Sequence, residues 1–560
     1  MREQKAVKVI AISVLVSLLL VGCGETNNST PLVDTNTPSM ENDSMDNNES
    51  MDMTSETNEP TGDENVVKKT SSLHILPVLS DEDGNPTDAK ATYTLTANKN
   101  VNVTIDTPNG SFVTPMWRYN NNPLPLVIRA NRGDKMTLNF NNKLDADSTI
   151  HWHGFKVPAK EDGGPDLPVK ATQSKTYSFT LDQPASPLWF HPHPDMQTGK
   201  QVYMGLAGVF LIEDDISKEL ERTKQLPSGE KDVVLLVQDR RFAPLKEGVR
   251  ELQYMNQDMD MDGMLGDVVL VNGSQFPNLN VSTTQHRFRL YNVSNAKNYD
   301  FAFDDGREFT VVATDGGLLK NPVKLEHIKL GAAERVEIVV DFSKDTVGDS
   351  VKLISRAFED DNMGMGNMNG NSMSMGRSPN GTAVDIMQFD VAKVEKDEVK
   401  LYTTLSDKAE ITKRLDPSLA DNAGAEREFV MTMKRGNGMM TFVINGKAFD
   451  ANRIDEFIKS NSTEIWTLKN DSPMAHPFHA HAIQYQILDR DGIPASGTDL
   501  GWKDTFLVKP NETVRIIGKF EPVNEGDYMY HCHILEHEDA GMMGYFRVGV
   551  KGNVRKNGEE

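Results

Sequence analysis

Residues 531–543, near the C-terminus, read HCHILEHEDAGMM. Cys532, one of only two cysteines in the chain, lies between His531 and His533, and Met542 follows. A cysteine, a histidine and a weakly bound methionine are ligand types of a blue-copper electron-transfer site. If Cys532 lies on a strand, its side chain faces one side and the flanking histidines face the other, so one strand would contact two metal centres. The alternative is a buried thiol beside surface histidines.

The other histidines favour the metal interpretation because they occur in pairs. The chain has 13 histidines, and chance placement would give roughly 0.3 pairs of the form His-x-His. Four such pairs are present: His151/His153, His191/His193, His479/His481 and His531/His533. On a strand, each pair projects two imidazoles from one face. Neutral imidazole suits copper, zinc and iron, and eight rings exceed the needs of one ion, so the pattern predicts a metal cluster.

The remaining sequence predicts an all-β fold. From about Leu73, short alternating polar and apolar runs are separated by turn pairs such as Asn-Gly and Asp-Gly, which is typical of β-sandwiches. A weak repeat of Asn-Gly, an aromatic residue and a strand ending in Asn occurs at 271–292 and 444–470, with a counterpart strand at 136–141. A length of 560 residues suggests about three or four domains. The repeat favours three, which we place at about 71–216, 228–395 and 425–551.

The N-terminus predicts export and a lipid anchor. Basic residues precede the apolar run 9–21, which is too short to span a bilayer comfortably. The run ends in Leu-Val-Gly-Cys, which resembles a bacterial lipobox, so we predict a signal peptide over 1–22 and lipidation of Cys23. The lipid would hold the exported protein at the outer face of the bacterial cell membrane. An uncleaved anchor and a plain secretory signal are the alternatives.

Residues 23–70 predict a disordered acidic linker. Positions 24–67 contain no lysine or arginine and few large aliphatic residues, so the segment cannot bury enough apolar surface to fold. The whole chain carries 59 basic and 82 acidic residues, for a net charge of -23. This balance argues against nucleic acid as a partner, because binding to phosphates needs clustered lysine and arginine.

Four motifs together resemble those of a known family. They are HWHG at 151–154, WFHPHP at 189–194, HPFHAH at 476–481 and HCHILEHEDAGMM at 531–543. In order and spacing they resemble three-domain bacterial multicopper oxidases, closest to the cuprous oxidases of copper tolerance and next to spore-coat-type laccases. The resemblance extends from about residue 73 to residue 550, and it implies three cupredoxin-like Greek-key β-sandwich domains.

The resemblance also implies four copper ions: one blue type 1 ion, one type 2 ion and one type 3 pair. The type 1 ligands would be His476, Cys532, His537 and the axial Met542. The type 2 ligands would be His151 and His479. The type 3 ligands would be His153, His191, His193, His481, His531 and His533. Domain two has no ligand set, so we expect it to be a spacer between the domains that share the cluster.

The family's reaction implies a role for two carboxylates. A donor would reduce the blue copper one electron at a time, and electrons would pass through Cys532 to the cluster, where dioxygen is reduced to water. This reaction consumes protons, so an acid is required nearby. Glu538 and Asp162 occupy the positions where related enzymes keep such acids. The alternative for each is a solvated loop carboxylate.

The donor is predicted from the methionines. Cu(I) is a soft ion that takes thioether ligands, and the chain contains 27 methionines. A glycine- and asparagine-rich loop in domain two, residues 363–375, is rich in them. Related cuprous oxidases also place a substrate-contacting methionine two residues before the first blue-copper histidine. The predicted Cu(I) contacts are therefore Met363, Met365, Met368 and Met474.

Two departures from the family pattern keep an alternative open. The methionine-rich insertion expected early in domain three is reduced to a few methionines, and the aspartate expected four residues before His476 is Ser472. A laccase that oxidises phenols or other metal ions is therefore the first alternative. A non-enzymatic copper-binding or envelope scaffold protein is a second, although such scaffolds lack motif ligands that are all present here. The predicted partners are dioxygen, a Cu(I) or phenolic reductant and the membrane surface, with the protein as a monomer.

Overall fold

The computed structural model describes residues 70–85, 88–254, 262–359, 379–408, 413–436 and 439–549. The predicted signal peptide and linker, Cys23 and the loop 363–375 with Met363, Met365 and Met368 lie outside the described residues. The predictions made for them therefore stay predictions. Across the described ranges, none of the helices combines the length and the apolar character needed to span a membrane.

The first β-sandwich contains eight strands: β1 Lys90–Thr107, β2 Gly110–Tyr119, β3 Val127–Asn131, β4 Lys135–Asn142, β5 His151–His153, β6 Ser174–Thr180, β7 Ser186–His191 and β8 Gly208–Glu213. One sheet has the order β2-β1-β4-β6 and the other β3-β8-β7-β5. β4 alternates inward residues, Met136, Leu138 and Phe140, with half-exposed ones, as expected of a strand with one solvated face. β5 and β7 are instead buried along their whole length, and they carry predicted metal ligands.

The second β-sandwich contains twelve strands: β9 Asp232–Arg240, β10 Val268–Val271, β11 Ser274–Gln275, β12 Asn278–Ser282, β13 Gln285–Asn292, β14 Tyr299–Phe303, β15 Phe309–Thr314, β16 Gly317–Leu325, β17 His327–Leu330, β18 Arg335–Asp341, β19 Ser350–Ser355 and β20 Val384–Lys393. Its sheets have the orders β11-β10-β9-β13-β18-β15-β16 and β12-β20-β19-β14-β17. The core between them is rich in aromatic side chains, including Phe288, Phe301 and Phe389.

The third β-sandwich also contains twelve strands: β21 Arg427–Gly436, β22 Met439–Ile444, β23 Glu456–Ile458, β24 Ser462–Asn470, β25 His476–Ala480, β26 Tyr485–Arg490, β27 Ile493–Pro494, β28 Trp502–Lys503, β29 Thr505–Val508, β30 Thr513–Phe520, β31 Gly526–Cys532 and β32 Met543–Val548. One sheet has the order β22-β21-β24-β30-β26-β27, with β28 paired to β26, and the other has the order β23-β32-β31-β25-β29. β25 and β31 are therefore neighbours, which brings two of the histidine motifs together.

The described residues contain few helices. The α-helices are α1 Thr198–Met204, α2 Asp215–Arg222 and α3 Leu535–Asp539, and the 3-10 helices are Ala159–Glu161, Gly229–Lys231, Pro417–Leu419, Gly497–Leu500 and Pro522–Asn524. α2 begins with a capping box, in which the Asp214 side chain accepts the Ser217 N–H (2.7 Å) and the Ser217 hydroxyl accepts the Asp214 N–H. α3 is one turn long and follows directly on β31, so it positions residues of the 531–543 motif.

The internal repeat corresponds to a shared turn and strand. Asn272 (φ 50°) and Gly273 (φ 90°) form a left-handed turn between β10 and β11, and Asn445 (φ 52°) and Gly446 (φ 72°) form the same turn after β22. Asn-Gly suits this turn because both residues tolerate positive φ. The repeat strands themselves lie within β4, β13 and β24. The prediction of an all-β chain with three sandwiches is confirmed.

Candidate metal centres

Three predicted ligands converge in the core of the third sandwich. The Cys532 sulfur, at the end of β31, lies 3.3 Å from Nδ1 of His476 on β25 and 3.8 Å from Nδ1 of His537 on α3. All three side chains are fully buried. Met542, the predicted axial ligand, lies in the same core; its N–H donates to the His537 carbonyl (2.8 Å), and its carbonyl accepts the Cys532 N–H (3.0 Å). The four residues therefore form one local unit.

Burial sets the protonation of these groups. Burial and the proximity of His537 hold the pKa of His476 well below its usual value, so its ring is neutral at pH 7. Burial also raises the pKa of the Cys532 thiol, although the Ile534 N–H donates to its sulfur (3.4 Å). Such a thiol ionises when a metal cation replaces its proton. The chemistry of this donor set, one sulfur and two imidazoles, fits copper.

Ser472 lies where the resemblance led us to expect an aspartate. Its hydroxyl oxygen is 2.7 Å from Nε2 of His476, which leaves Nδ1 of the same ring facing Cys532. Asp471, the nearest acid in sequence, is exposed. Met474, predicted as a Cu(I) contact, is only 3% exposed and packs among the core side chains of the third sandwich. Its sulfur is therefore not displayed at the surface.

The eight paired histidines form one buried cluster between the first and third sandwiches. β5 pairs with β7 so that His151 lies opposite His191, and β25 pairs with β31 so that His479 lies opposite His531. Across the two domains, rings of His153 and His479 stack at 3.8 Å, as do rings of His151 and His481. Candidate ligand atoms lie within 4.8 Å of one another in three histidine groups: His151/His479/His481, His151/His153/His191 and His193/His481/His531.

Hydrogen bonds to one ring nitrogen indicate which nitrogen is left for a metal. Four Nδ1 atoms contact backbone carbonyls: His151 to Asp162 (3.0 Å), His191 to Pro192 (2.8 Å), His479 to Asp504 (2.8 Å) and His531 to Cys532 (3.1 Å). A carbonyl only accepts, so Nδ1 carries the hydrogen and Nε2 keeps its lone pair. Nε2 of His151, His191 and His479 is buried without a hydrogen-bond partner among the described residues. Unpaired buried nitrogens are costly, and bound metal ions would remove that cost, so these residues fit a metal cluster.

Burial keeps the imidazoles of His191 and His193 neutral. Burial and the proximity of His193 lower the pKa of His191 to about 3. Burial lowers the pKa of His193 to about 4, against the opposing effect of the Glu538 carboxylate. Neutral imidazole is the form that binds metal, so these two rings need not lose a proton at pH 7 before binding.

Asp504 is a site residue that sequence reasoning missed. Its Oδ1 lies 3.0 Å from Nε2 of His153, and its backbone carbonyl accepts from His479. His153 is therefore reversed relative to its neighbours: Nδ1 is the nitrogen that is buried without a partner. The sequence signal was weak, since Asp504 lies 351 residues from His153 and outside every histidine motif. The available hint was its position directly before β29, the strand that pairs with the HPFHAH strand.

The two predicted proton-relay carboxylates both contact the cluster. Asp162 Oδ2 is 2.7 Å from Nδ1 of His481, and burial together with Asp166 holds its pKa well above the usual value. Glu538 has one oxygen 3.0 Å from Nδ1 of His531 and the other 3.4 Å from Nδ1 of His193. Both carboxylates are buried, so the alternative of solvated loop residues does not describe them.

Comparisons with known proteins agree with this geometry. Family models described as multicopper oxidase match residues 95–217, 244–362 and 423–552. The chain is similar to the multicopper oxidase mco of Staphylococcus haemolyticus, with 35% identity over 77% of this chain and 83% of the relative. It is similar to the laccase of Bacillus subtilis, with 30% identity over 71% of this chain and 78% of the relative.

A solved structure gives the same result. The multicopper oxidase of Campylobacter jejuni, described as a metallo-oxidase, superposes with a TM-score of 0.70 and 29% identity, covering 86% of this chain and 96% of that one. The three sandwiches are thus cupredoxin-like domains, and the protein is a copper-dependent oxidoreductase that uses dioxygen and a reducing substrate. The chain belongs to the multicopper oxidase family.

Proposed function

We propose that this protein couples the one-electron oxidation of a donor, chiefly Cu(I) in copper detoxification, to the four-electron reduction of dioxygen to water. The observation that carries the proposal is the position of Cys532. Its sulfur faces His476 and His537, while the residues on either side of it, His531 and His533, belong to the histidine cluster. One strand end therefore contacts both candidate centres.

The copper assignment is the one that the family resemblance implies. We propose a type 1 copper at His476, Cys532, His537 and Met542, a type 2 copper at His151 and His479, and a type 3 pair at His153, His191, His193, His481, His531 and His533. Support comes from the grouping of His193, His481 and His531 and from the mutual ring contacts of His153, His191 and His533. Copper bound at these residues supplies one-electron transfer at the first centre and dioxygen reduction at the second.

The chain itself connects the two centres. Covalent bonds run from the Cys532 sulfur through the cysteine backbone to the imidazoles of His531 and His533. The hydrogen bond from His531 Nδ1 to the Cys532 carbonyl (3.1 Å) offers a second connection to one ring. Every group along this route is buried, which excludes water from it.

Protons are proposed to come from the two carboxylates on opposite sides of the cluster. Asp162 holds His481 through Oδ2, and its Oδ1 has no hydrogen-bond partner among the described residues, so it is placed to carry a proton. Glu538 contacts His193 and His531. Each carboxylate also orients the imidazoles it contacts, as carboxylates beside metal-bound histidines do.

The two candidate functions within the family differ in their electron donor, Cu(I) or a phenol. Soft thioethers favour Cu(I), and the methionine loop 363–375 of domain two would collect it. A laccase acting on phenols is the second candidate, favoured by the buried position of Met474 and by Ser472 in place of an aspartate, since both weaken a preformed Cu(I) site at His476.

We also propose the cellular setting and the organisation of the chain. The protein would be exported, lipidated at Cys23 and held as a monomer at the outer face of the cell membrane. The proposed domain limits, 71–216, 228–395 and 425–551, enclose the strands of the three sandwiches.

Oxygen consumption tests the proposed function. The copper-loaded protein is supplied with Cu(I) or with a bulky phenol, and the two turnover rates are compared with and without added Cu(II). Cu(I) should be the faster donor. The Cys532→Ser variant should lose the intense blue absorption and all oxidase activity but should keep the copper bound by histidines. Blue colour in that variant would refute the assignment, and a faster phenol reaction in the wild type would favour the laccase.

A further inference from the structure

One buried arginine of the second sandwich contacts all three domains. Arg335 begins β18 and is fully buried. All five of its guanidinium N–H groups are used: Nε donates to Pro187 O (2.9 Å), Nη1 to Ala333 O (3.1 Å) and Asp504 Oδ1 (2.6 Å), and Nη2 to Asp315 O (3.1 Å) and Asp504 Oδ2 (2.8 Å). Pro187 belongs to the first sandwich and Asp504 to the third. The guanidinium is therefore held in a single orientation.

Two parallel hydrogen bonds from Arg335, here called the fork, hold the Asp504 carboxylate ionised and in one orientation. Arginine stays protonated and binds a carboxylate through two parallel bonds, so Asp504 is ionised. Its oxygens also accept from Thr505 Oγ1 (2.9 Å) and Gln484 Nε2 (2.7 Å). With these contacts in place, the carboxylate has little freedom to rotate, and Oδ1 remains 3.0 Å from Nε2 of His153.

An ionised Asp504 determines the tautomer of His153. A carboxylate only accepts hydrogen bonds, so Nε2 of His153 carries the hydrogen and Nδ1 keeps the lone pair. Nδ1 is the atom that faces the cluster without a partner among the described residues. The backbone carbonyl of Asp504 favours the opposite tautomer in His479, because Nδ1 of that ring donates to it (2.8 Å). One residue therefore orients two stacked rings that belong to different domains.

We propose that Arg335 is a positioning residue for the histidine cluster, acting through the Asp504 carboxylate on His153. The inference rests on the copper ligands proposed above. Domain two then has a role beyond that of a spacer, because it supplies the group that holds a carboxylate of domain three against a histidine of domain one. Loss of such an outer contact typically weakens metal binding by about 10- to 100-fold.

Arg335→Lys tests the proposal, with Arg289→Lys as its matched control. Lysine keeps the charge but cannot form the fork. Arg289 is likewise a buried arginine of the second sandwich, and it forks onto Asp232 (2.7 and 2.6 Å) while also reaching Glu337 (2.7 Å), neither of which is a predicted ligand. Each copper-loaded protein is titrated with EDTA, and the copper retained is measured alongside the blue absorption.

The expected result separates positioning from a general loss of stability. In Arg335→Lys, copper outside the blue centre should be lost at about 10- to 100-fold lower EDTA, while the blue absorption persists as a report on the third sandwich. Arg289→Lys should retain copper as the wild type does. Unchanged resistance in Arg335→Lys, or an equal loss in both variants, would overturn the proposal.

Two further measurements test the proposal even if the Arg335→Lys variant does not fold. The double variant Arg335→Met with Asp504→Asn removes both charges while keeping similar volumes, which avoids leaving one buried charge unpaired; it should show the same copper loss. A crystal structure of the copper-loaded wild type should have His153 bound through Nδ1 with Nε2 on Asp504, and binding through Nε2 would refute the inference. Failure of the wild type to bind copper at these histidines would instead refute the ligand assignment itself.

Discussion

Asp162→Asn should separate proton supply from copper binding. The Asp162 carboxylate holds His481 through Oδ2 at 2.7 Å, and its Oδ1 has no hydrogen-bond partner among the described residues. An asparagine keeps the oxygen that accepts from His481, so the imidazole should remain oriented for copper. The substitution removes an acidic proton beside the cluster. Burial raises the pKa of the Asp162 carboxyl well above its usual value.

The size of the effect follows from these contacts. A positioned acid or base contributes about 10²- to 10⁴-fold in rate, or about 2.7–5.4 kcal/mol of activation free energy. Glu538 remains on the other side of the cluster, against His193 and His531. We therefore expect the low end of the range, about 100-fold slower dioxygen reduction. Because protonated Asp162 is the donor, the wild-type rate should fall as pH rises through its raised pKa, and the variant should lack that step.

The assay is oxygen consumption under saturating reductant, with copper content and blue absorption measured on the same samples. Asp182→Asn is the matched control: the same substitution at an exposed aspartate of the same domain, whose side chain pairs with Arg132 at the surface (3.4 Å). Surface changes of this kind alter the free energy of unfolding by about 0.5 kcal/mol or less, so the control should stay folded and keep a rate close to that of the wild type. A wild-type rate in Asp162→Asn would refute the relay, and loss of copper would show that Asp162 acts through His481 alone.

Glu538→Gln should likewise keep its copper and blue colour while slowing dioxygen reduction, and unchanged turnover under saturating reductant would remove Glu538 from the relay. Deleting residues 363–375 should lower Cu(I) oxidation at low copper and raise activity on phenols without changing copper content, because every proposed ligand lies outside the loop; equal kinetics for both donors would make the loop a simple linker. His286, away from both centres, has its pKa lowered by burial to about 4 from 6.5, so it stays neutral in the folded state while the unfolded chain binds a proton. Its contribution to stability is complete above about pH 6.5 and falls by about 3 kcal/mol as pH drops through the folded pKa. His286→Gln should remove one proton's worth of pH dependence between pH 6.5 and 4 in denaturant unfolding of the copper-free protein, and an identical pH slope in both proteins would contradict this.

Local sequence patterns determined the strands and most of the candidate site. Side chains alternate along a strand, so a His-x-His pair must present both rings on one face, as in β5 with His151 and His153. The same alternation places Cys532 opposite its flanking histidines. The Asn-Gly turns at 272–273 and 445–446 were predictable because their positive φ values suit few other residues. These features depend only on residues that are near in sequence.

Only the tertiary structure decided how distant residues complete the site. The contact of His153 with Asp504 joins residues 351 positions apart, and Arg335 reaches Asp504 from a domain with no predicted ligand. No local pattern marks such a pair, because a lone aspartate or arginine in sequence is most often a surface residue. The burial of Met474 in the core of the third sandwich was likewise visible only in the tertiary structure. The sequence by itself therefore indicated which residues are candidate copper ligands, whereas the packing of three domains decided which ring nitrogen of His153 and of His479 is left without a partner among the described residues.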